Sequence, residues 1–309
     1  MDWLPRDTAL RAAAFAEVVR LQRLYADAIP WSAIAQGFVF EGKAHPLSSK
    51  AEGIYAPAGH PAALSIKTTV PRKNRDTNPY VDELRSDERL MRYAYKEKGG
   101  SDNAANRSLR WAQAHRLPLI YFWGVAEARY AALLPVYVEA DLADERAFGI
   151  VPGELLATAN SGTHVHALFE ARAPDRRYAA REVRVRLHQQ AFRVQVLDAY
   201  EHHCAMCSIK FDEFLEAAHI LPDKHERGAP VVNNGLALCT LHHGAFDRHL
   251  IDVSDDYRIV LHPELARRRD GNIFQAAFLE RDGQLLHLPR RVEHHPSPVF
   301  LRERRRLAG

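Results

Sequence analysis

All three cysteines of this chain fall in one short segment, and their spacing suits a metal site. Cys204 and Cys207 are separated by two residues, as are Cys239 and His242. Two such pairs can close a tetrahedral site around one ion, and thiolate and imidazole ligands favour zinc. Four protein ligands leave no open position, so this zinc is expected to be structural and to tie together a loop-rich module. The alternative is that the cysteines are small apolar residues of a core.

A second set of polar residues lies in and around the interval between the two pairs. His219 stands in the strand-like run AAHIL and Asn234 in the turn NNGLAL, while HHGAF begins a helix that places His243 and Asp247 four residues apart on one face. An imidazole with a pKa of about 6.5 can take a proton from water at neutral pH. A histidine and a carboxylate one helical turn apart can hold a hard cation such as Mg²⁺. Hydrolysis of a phosphodiester needs these parts, although His243 could instead belong to the zinc site and Asp247 could merely cap.

The segment from about 186 to 261 resembles the HNH, or ββα-metal, nucleases. The resemblance implies that His219 is the general base, that Asn234 orients it, and that His243 and Asp247 bind the catalytic divalent cation, Mg²⁺ or another. Family members often carry a metal-binding Asp or His immediately before the base, where this chain has Ala218. Either fewer protein groups hold the cation, or Glu216, on the same strand face, contributes.

The region 35–125 resembles the SRA domain, a module that flips a modified cytosine out of DNA into a pocket. The resemblance implies a pocket that stacks the base on tyrosines and reads its edge with a carboxylate, and double-stranded DNA with modified cytosine becomes the expected partner. The segments that carry it are, in order, GIYAP, ALSIKTT, PYVDEL, YAYKEKGG, NRSLRWA and LPLIYFWG.

By this second resemblance, the expected pocket residues are Tyr80, Asp82, Tyr93 and Tyr95. Cations nearby would hold the DNA backbone, and those expected to do so are Arg72, Lys73, Lys96 and Lys98. The alternative for the tyrosines is strand packing, which is common for aromatic residues at near-alternate positions.

The elements that must position these residues predict an α+β fold of two domains. Helical spacing marks 8–25, capped by Asp7, and also 104–116 and 181–200, whereas LPLIYFWGV and AALLPVYVEADL are typical of buried strands. We expect a β-rich, SRA-like (PUA-like) domain over 1–165 and a basic linker and helix start over 166–185. A zinc-stapled ββα-metal domain is expected over 186–309.

Composition narrows the class without deciding it. Of 309 residues, 47% are hydrophobic and 26% charged, and the net charge of +3 alone does not establish nucleic-acid binding. Seven arginines between 171 and 193 and the tail LRERRRLAG are basic clusters that suit DNA or a solvated helix face equally well. No apolar run approaches the ~20 residues that span a bilayer, and the amino terminus lacks a secretory pattern, so we expect a cytoplasmic protein.

Three functions compete on these grounds. The first is a modification-dependent restriction endonuclease that reads 5-methylcytosine or 5-hydroxymethylcytosine and acts as a homodimer, because one site cuts one strand. The second is a catalytically inactive HNH-like DNA-binding protein, which the alanine at position 218 favours. The third is an HNH nuclease with a different specificity domain.

Overall fold

The computed structural model describes residues 3–25, 28–70, 90–98, 100–153 and 176–308. The chain forms two compact units, Met1–Gln190 and Ala191–Gly309. Helices and strands occur in both, which confirms the predicted mixed α and β fold. None of the helices within these ranges is both long enough and apolar enough to cross a membrane.

The amino-terminal unit is built around one mixed sheet. Its helices within the described ranges are α1 (Trp3–Tyr25), α2 (Trp31–Gln36) and α3 (Ala104–Ala114). Its strands there are β1 (Ile29–Pro30), β2 (Phe38–Phe40), β3 (Lys43–His45), β4 (Ile54–Tyr55), β5 (Ser65–Thr68), β6 (Met91–Ala94), β7 (Leu119–Ala126), β8 (Arg129–Leu142) and β9 (Ala147–Pro152).

Seven of these strands form the sheet, in the order β4-β5-β7-β8-β9-β6 with β1 added to β8. Only β5 and β7 run parallel among the paired strands of the described sheet. Strand β7 is buried at its first seven positions, as its continuous apolar run predicts for a strand covered on both faces. Helix α1 packs into the same core as Ile120 and Phe122 of β7, through an apolar face made of Leu10, Ala14, Phe15, Val18 and Leu21.

The start of α1 corrects a prediction. Asp7 does not cap the helix, because the helix begins at Trp3 and Asp7 lies fully buried within it. Arg11, one turn later, donates from Nε to Asp7 Oδ2 at 2.6 Å and from Nη1 to the Pro118 carbonyl at 2.8 Å. His60 Nδ1 lies 2.9 Å from the other carboxylate oxygen. A buried charge needs such partners, and here they join α1 to the loop that precedes β7.

The carboxy-terminal unit is small and made of short elements. Helix α4 (Arg176–Ala199) crosses the boundary between the two units. A hairpin of β10 (Leu215–His219) and β11 (Gly235–Cys239) runs directly into α5 (Thr240–Asp247). The remaining strands and helices described are β12 (Ile251–Val253), β13 (Ile259–Leu261), α6 (Pro263–Arg267), α7 (Gly271–Ala277) and α8 (Pro298–Ala308).

Two features fix where the hairpin lies. The register pairs His219 with Gly235 and Leu215 with Cys239, so the last residue of β10 faces the first of β11. A Cβ at Gly235 would meet Val196 Cγ2 at 2.5 Å and the Phe192 ring at 2.8 Å. Glycine is therefore required where the end of α4 approaches β11, and this approach brings α4 beside the end of β10.

Candidate active site and metal centre

The four residues predicted to bind zinc converge on one point. Cys239 Sγ lies 3.2 Å from His242 Nδ1, Cys204 Sγ lies 3.6 Å from the same nitrogen, and Cys207 Sγ lies 3.9 Å from Cys239 Sγ. All four ligand atoms lie within 4.8 Å of one another. Tetrahedral zinc with bonds of about 2.3 Å to sulfur and about 2.0 Å to nitrogen spaces its ligands by about 3.5–3.8 Å. The donor set and its spacing therefore fit a metal ion such as zinc.

The surroundings of this group support metal binding. The His242 ring is buried, and its Nε2 donates to the Ala277 carbonyl at 2.8 Å, which leaves Nδ1 as the nitrogen that faces the thiols. Metal-binding histidines characteristically donate their second N–H in this way, which fixes tautomer and ring orientation. Hydrogen bonds from Cys207 and Cys239 lower the pKa of Cys204, and the same contacts raise the pKa of Cys207, so the neighbouring thiols stabilise one thiolate among them.

His219 ends β10 with a confined, uncharged ring. The imidazole stacks on Phe192 of α4, with ring centroids 4.0 Å apart and planes 20° apart. Burial is the largest effect on the pKa of His219 and lowers it. The charges of Asp223 and Asp247 oppose this lowering, and His243 adds to it. Its Nε2 is buried and has no hydrogen-bond partner among the residues described. The lowered pKa keeps the ring neutral near pH 7, and a neutral imidazole has one unprotonated nitrogen that can accept a proton.

Asn234 is fully buried, and its side chain binds backbone. Its Oδ1 accepts from the Leu221 amide at 2.9 Å, and its Nδ2 donates to the carbonyls of Leu221 and Ala229 at 3.1 and 3.0 Å. The Asn234 carbonyl also accepts from the Ile220 amide at 2.9 Å. The asparagine therefore fixes the chain directly after His219, and any orienting effect on the imidazole acts through that chain.

His243 lies between two carboxylates. Its Nδ1 is 2.5 Å from Glu216 Oε2 of β10, and its Nε2 is 3.4 Å from Asp247 Oδ2, one turn along α5. The side chains of Glu216 and Asp247 are about half exposed, at 46% and 57%, whereas that of His243 is 22% exposed. Ala218, on the same face of β10 as Glu216, is fully buried and adds no ligand atom.

Comparison with known families agrees with this geometry. Residues 204–253 match a family model described as HNH endonuclease. This segment is an HNH endonuclease domain. It contains the four residues of the candidate metal centre together with His219, Asn234, His243 and Asp247.

Among the solved structures that match, one aligns with most of the chain. It is described as a modification-dependent TagI restriction endonuclease, with 15% sequence identity and a TM-score of 0.29. The alignment covers 94% of this chain and 89% of the other. Among curated proteins, no significant match was found.

Arg304 is a residue of the HNH site region that the sequence did not single out. The tail LRERRRLAG was interpreted as a basic cluster, yet the Arg304 side chain on α8 is buried and its guanidinium lies 3.6 Å from the centre of the Phe246 ring. It donates to the Phe246 carbonyl and, at 3.3 Å, to the Ile220 carbonyl. These carbonyls adjoin Asp247 and His219 in sequence, so one guanidinium links the ends of α5 and β10. The signal in the sequence that could have identified Arg304 as buried was its three-residue spacing from Leu301, which puts both side chains on one buried face of α8.

The predicted base-pocket residues divide into two groups. Tyr80 and Asp82, with Arg72 and Lys73, lie outside the described residues. Tyr93 and Tyr95 are buried in the amino-terminal unit, where the Tyr93 hydroxyl donates to the Lys67 carbonyl at 3.2 Å and the Tyr95 hydroxyl donates to Asp141. A ring that holds a flipped base must present a face, so this geometry favours the packing interpretation for these two tyrosines.

The two lysines predicted to hold DNA differ in their surroundings. Lys96 Nζ lies 2.6 Å from Glu52 Oε2, while Lys98 is exposed. Asn106 of α3, itself fully buried, accepts from the Lys96 amide at 3.0 Å and donates to the Lys96 carbonyl at 3.1 Å. The backbone that carries these lysines is therefore fixed by the Asn-Arg-x-Leu helix.

The metal centre predicts opposite effects for two adjacent histidines. His242→Ala and Cys204→Ser should each lose the tightly bound metal, about one zinc per chain, and unfold the carboxy-terminal unit, because the metal supplies much of its folding free energy. His243→Ala is the matched control and should retain the zinc. Elemental analysis and thermal unfolding check both. A folded protein without zinc, or zinc lost from His243→Ala, would contradict the assignment.

The contacts of Arg304 predict that its loss affects both stability and catalysis. Arg304→Ala removes the side-chain donor of the buried Ile220 carbonyl and one of the donors of the Phe246 carbonyl, which also accepts from the His249 amide, so the free energy of unfolding should fall by about 1–3 kcal/mol. Cleavage should fall as well, because the ends of β10 and α5 lose their common contact. Arg306→Ala, an exposed position on the same helix, is the control and should change neither. Denaturant titration and a plasmid nicking assay measure the two effects; equal behaviour of both variants would refute the role.

Proposed function

We propose that this protein is a modification-dependent DNA endonuclease. Its HNH domain hydrolyses phosphodiester bonds in double-stranded DNA in which the amino-terminal unit has bound 5-methylcytosine or 5-hydroxymethylcytosine by base flipping. The observation that carries the cleavage step is the half-buried ring of His219, stacked on Phe192 at the end of β10, with its pKa lowered by burial and influenced by His243 and Asp247 within one HNH domain.

In the proposed cleavage step, His219 accepts the proton of the attacking water. Its stacking on Phe192 holds the plane of the ring, and Asn234 holds the chain that follows it. His243 and Asp247 are the residues that would hold a divalent cation, Mg²⁺ or another, which supplies stabilisation of charge on the phosphate when bound. Burial helps His219 in this role, because a lowered pKa keeps the imidazole unprotonated at neutral pH.

Recognition of the modified base is supported by the order of elements in the amino-terminal unit. The SRA-like segments GIY, ALSIKTT and LPLIYFWG form β4, β5 and β7 of one sheet, and NRSLRWA forms most of α3. Tyr80 and Asp82 are the proposed contacts to the base. Phosphate contacts are proposed for Arg72, Lys73, Lys96 and Lys98, and for Lys96 they require exchange of its ion pair with Glu52 for a phosphate.

A homodimer completes the proposal, because one active site hydrolyses one strand and a double-strand break needs two sites. One observation favours a second candidate, a catalytically inactive HNH-like DNA-binding protein. Ala218 stands where relatives often place a metal ligand, and its buried methyl group cannot replace one. The two candidates, and an HNH nuclease with a different reader, give different results in the cleavage experiments below.

Removal of the proposed base tests catalysis. His219→Ala should reduce cleavage by two orders of magnitude or more while DNA binding stays near its parent value, because general bases contribute about 10²–10⁴-fold and phosphate contacts dominate affinity. In the parent, the rate should fall only as the pH drops through a pKa below the usual value of about 6.5, since protonation removes the base. His287→Ala, a half-buried histidine of the same unit, is the control. A variant that cuts at the parent rate would rule out His219 as the base.

Modified substrate tests recognition. With Mg²⁺, the full chain should cut cytosine-methylated plasmid and leave unmodified plasmid intact, with double-strand breaks if two sites act together. Tyr80→Ala and Asp82→Ala should reduce this preference, whereas Lys98→Ala should weaken binding to both plasmids alike. Equal cutting of both plasmids would indicate a different reader domain. Binding without any cutting at all, with Mg²⁺ or Mn²⁺ present, would indicate the inactive candidate.

A further inference from the structure

One imidazole of the HNH domain meets two carboxylates, and its two nitrogens point to different sides of the ring. Glu216 approaches Nδ1 of His243 and Asp247 approaches Nε2. A single cation cannot bind both nitrogens of one ring. Only one of these carboxylates can therefore share a cation with His243, and the other must contact the ring in a different way.

The two distances identify which carboxylate can share a cation with His243 and which one forms a hydrogen bond with its ring. Two ligands held about 2.1 Å from Mg²⁺ lie about 3.0 Å apart at a right angle, and a wider angle gives about 3.4 Å. The separation of 3.4 Å between His243 Nε2 and Asp247 Oδ2 suits two ligands of one ion. The distance between Nδ1 and Glu216 Oε2, 2.5 Å, is too short for two ligands of one ion and places the two atoms in direct hydrogen-bond contact.

We propose that Glu216 is a positioning residue for the catalytic cation. Its carboxylate accepts the Nδ1–H of His243, which fixes the tautomer and turns Nε2 toward Asp247. This rests on the proposed function, in which His243 and Asp247 are the metal ligands. Carboxylates that accept from metal-binding histidines raise the basicity of the ligand and restrict the ring, and their loss characteristically weakens metal affinity about 10–100-fold.

The exposure of the pair argues against a mainly structural role. Glu216 is 46% exposed and His243 22% exposed, and ion pairs open to water add about 0–1 kcal/mol to stability. The hydrogen bond also connects two elements, since Glu216 lies on β10 and His243 on α5. Its main consequence is therefore the orientation of one imidazole, and Glu216 does not take the place of the ligand that Ala218 lacks.

Metal affinity separates this role from the alternatives. We would titrate Mn²⁺ into the zinc-loaded full chain and measure free Mn²⁺ by electron paramagnetic resonance, with the zinc content checked in every variant. Glu216→Ala should raise the dissociation constant for Mn²⁺ about 10–100-fold. Glu216→Gln should have a smaller effect, because the amide oxygen still accepts from Nδ1–H. Glu213→Gln, an exposed neighbour, is the matched control and should have none.

The ligand variants make each failure distinguishable. His243→Ala and Asp247→Ala should abolish measurable Mn²⁺ binding at this site. If they do and both Glu216 variants bind like the parent, the positioning role is overturned and the proposed function stands. If Glu216→Gln loses as much affinity as Asp247→Ala, Glu216 is a direct ligand and the proposal is wrong. If the two ligand variants bind Mn²⁺ like the parent, the metal site of the proposed function fails, and the role of Glu216 fails with it.

Discussion

The carboxy-terminal unit depends on the convergence of three thiols and one imidazole. Two of these side chains stand in the turn after α4, and the other two stand at the junction of β11 and α5. Three thiolates within 4.8 Å of one another would repel strongly in a buried site, so their charged forms require a cation between them. The same junction sets the direction of α5 relative to the β10–β11 hairpin. His243 and Asp247 are therefore placed by a centre to which neither contributes a ligand atom.

Local pattern in the sequence was sufficient where the placement of a side chain depends on one turn or one helix. The spacing of the cysteines and the four-residue separation of His243 and Asp247 depend only on tight turns and helical geometry, and both agree with the structure. Asn234 shows the limit of such reasoning. Its side chain binds the amide and carbonyl of Leu221, thirteen residues earlier, and the carbonyl of Ala229, five residues earlier. No periodicity in the sequence encodes which backbone groups a loop will present.

Charged residues are where sequence interpretation failed most clearly. Asp7 and Arg304 were assigned by residue type to a helix cap and to a basic surface, and both are buried in the structure. A buried charge needs partners, and some of them come from distant segments: the Pro118 carbonyl accepts from Arg11, the partner of Asp7, and the Ile220 carbonyl accepts from Arg304. Those partners are 107 and 84 residues away, so the compensating contacts cannot be seen until the chain is folded.

The small number of protein ligands near His243 is compatible with catalysis on physical grounds. Mg²⁺ retains several waters and is commonly held by one or two carboxylates together with substrate phosphate. A site with one histidine and one carboxylate, both partly exposed, leaves coordination positions for a phosphate and for water. Such a site would hold its cation weakly without substrate, and the phosphate of the bound DNA would supply further ligands. Under the proposed function, an alanine at position 218 would lower the resting affinity for the cation and leave the site of attack on the phosphate in place, provided that the orientation of His243 is maintained.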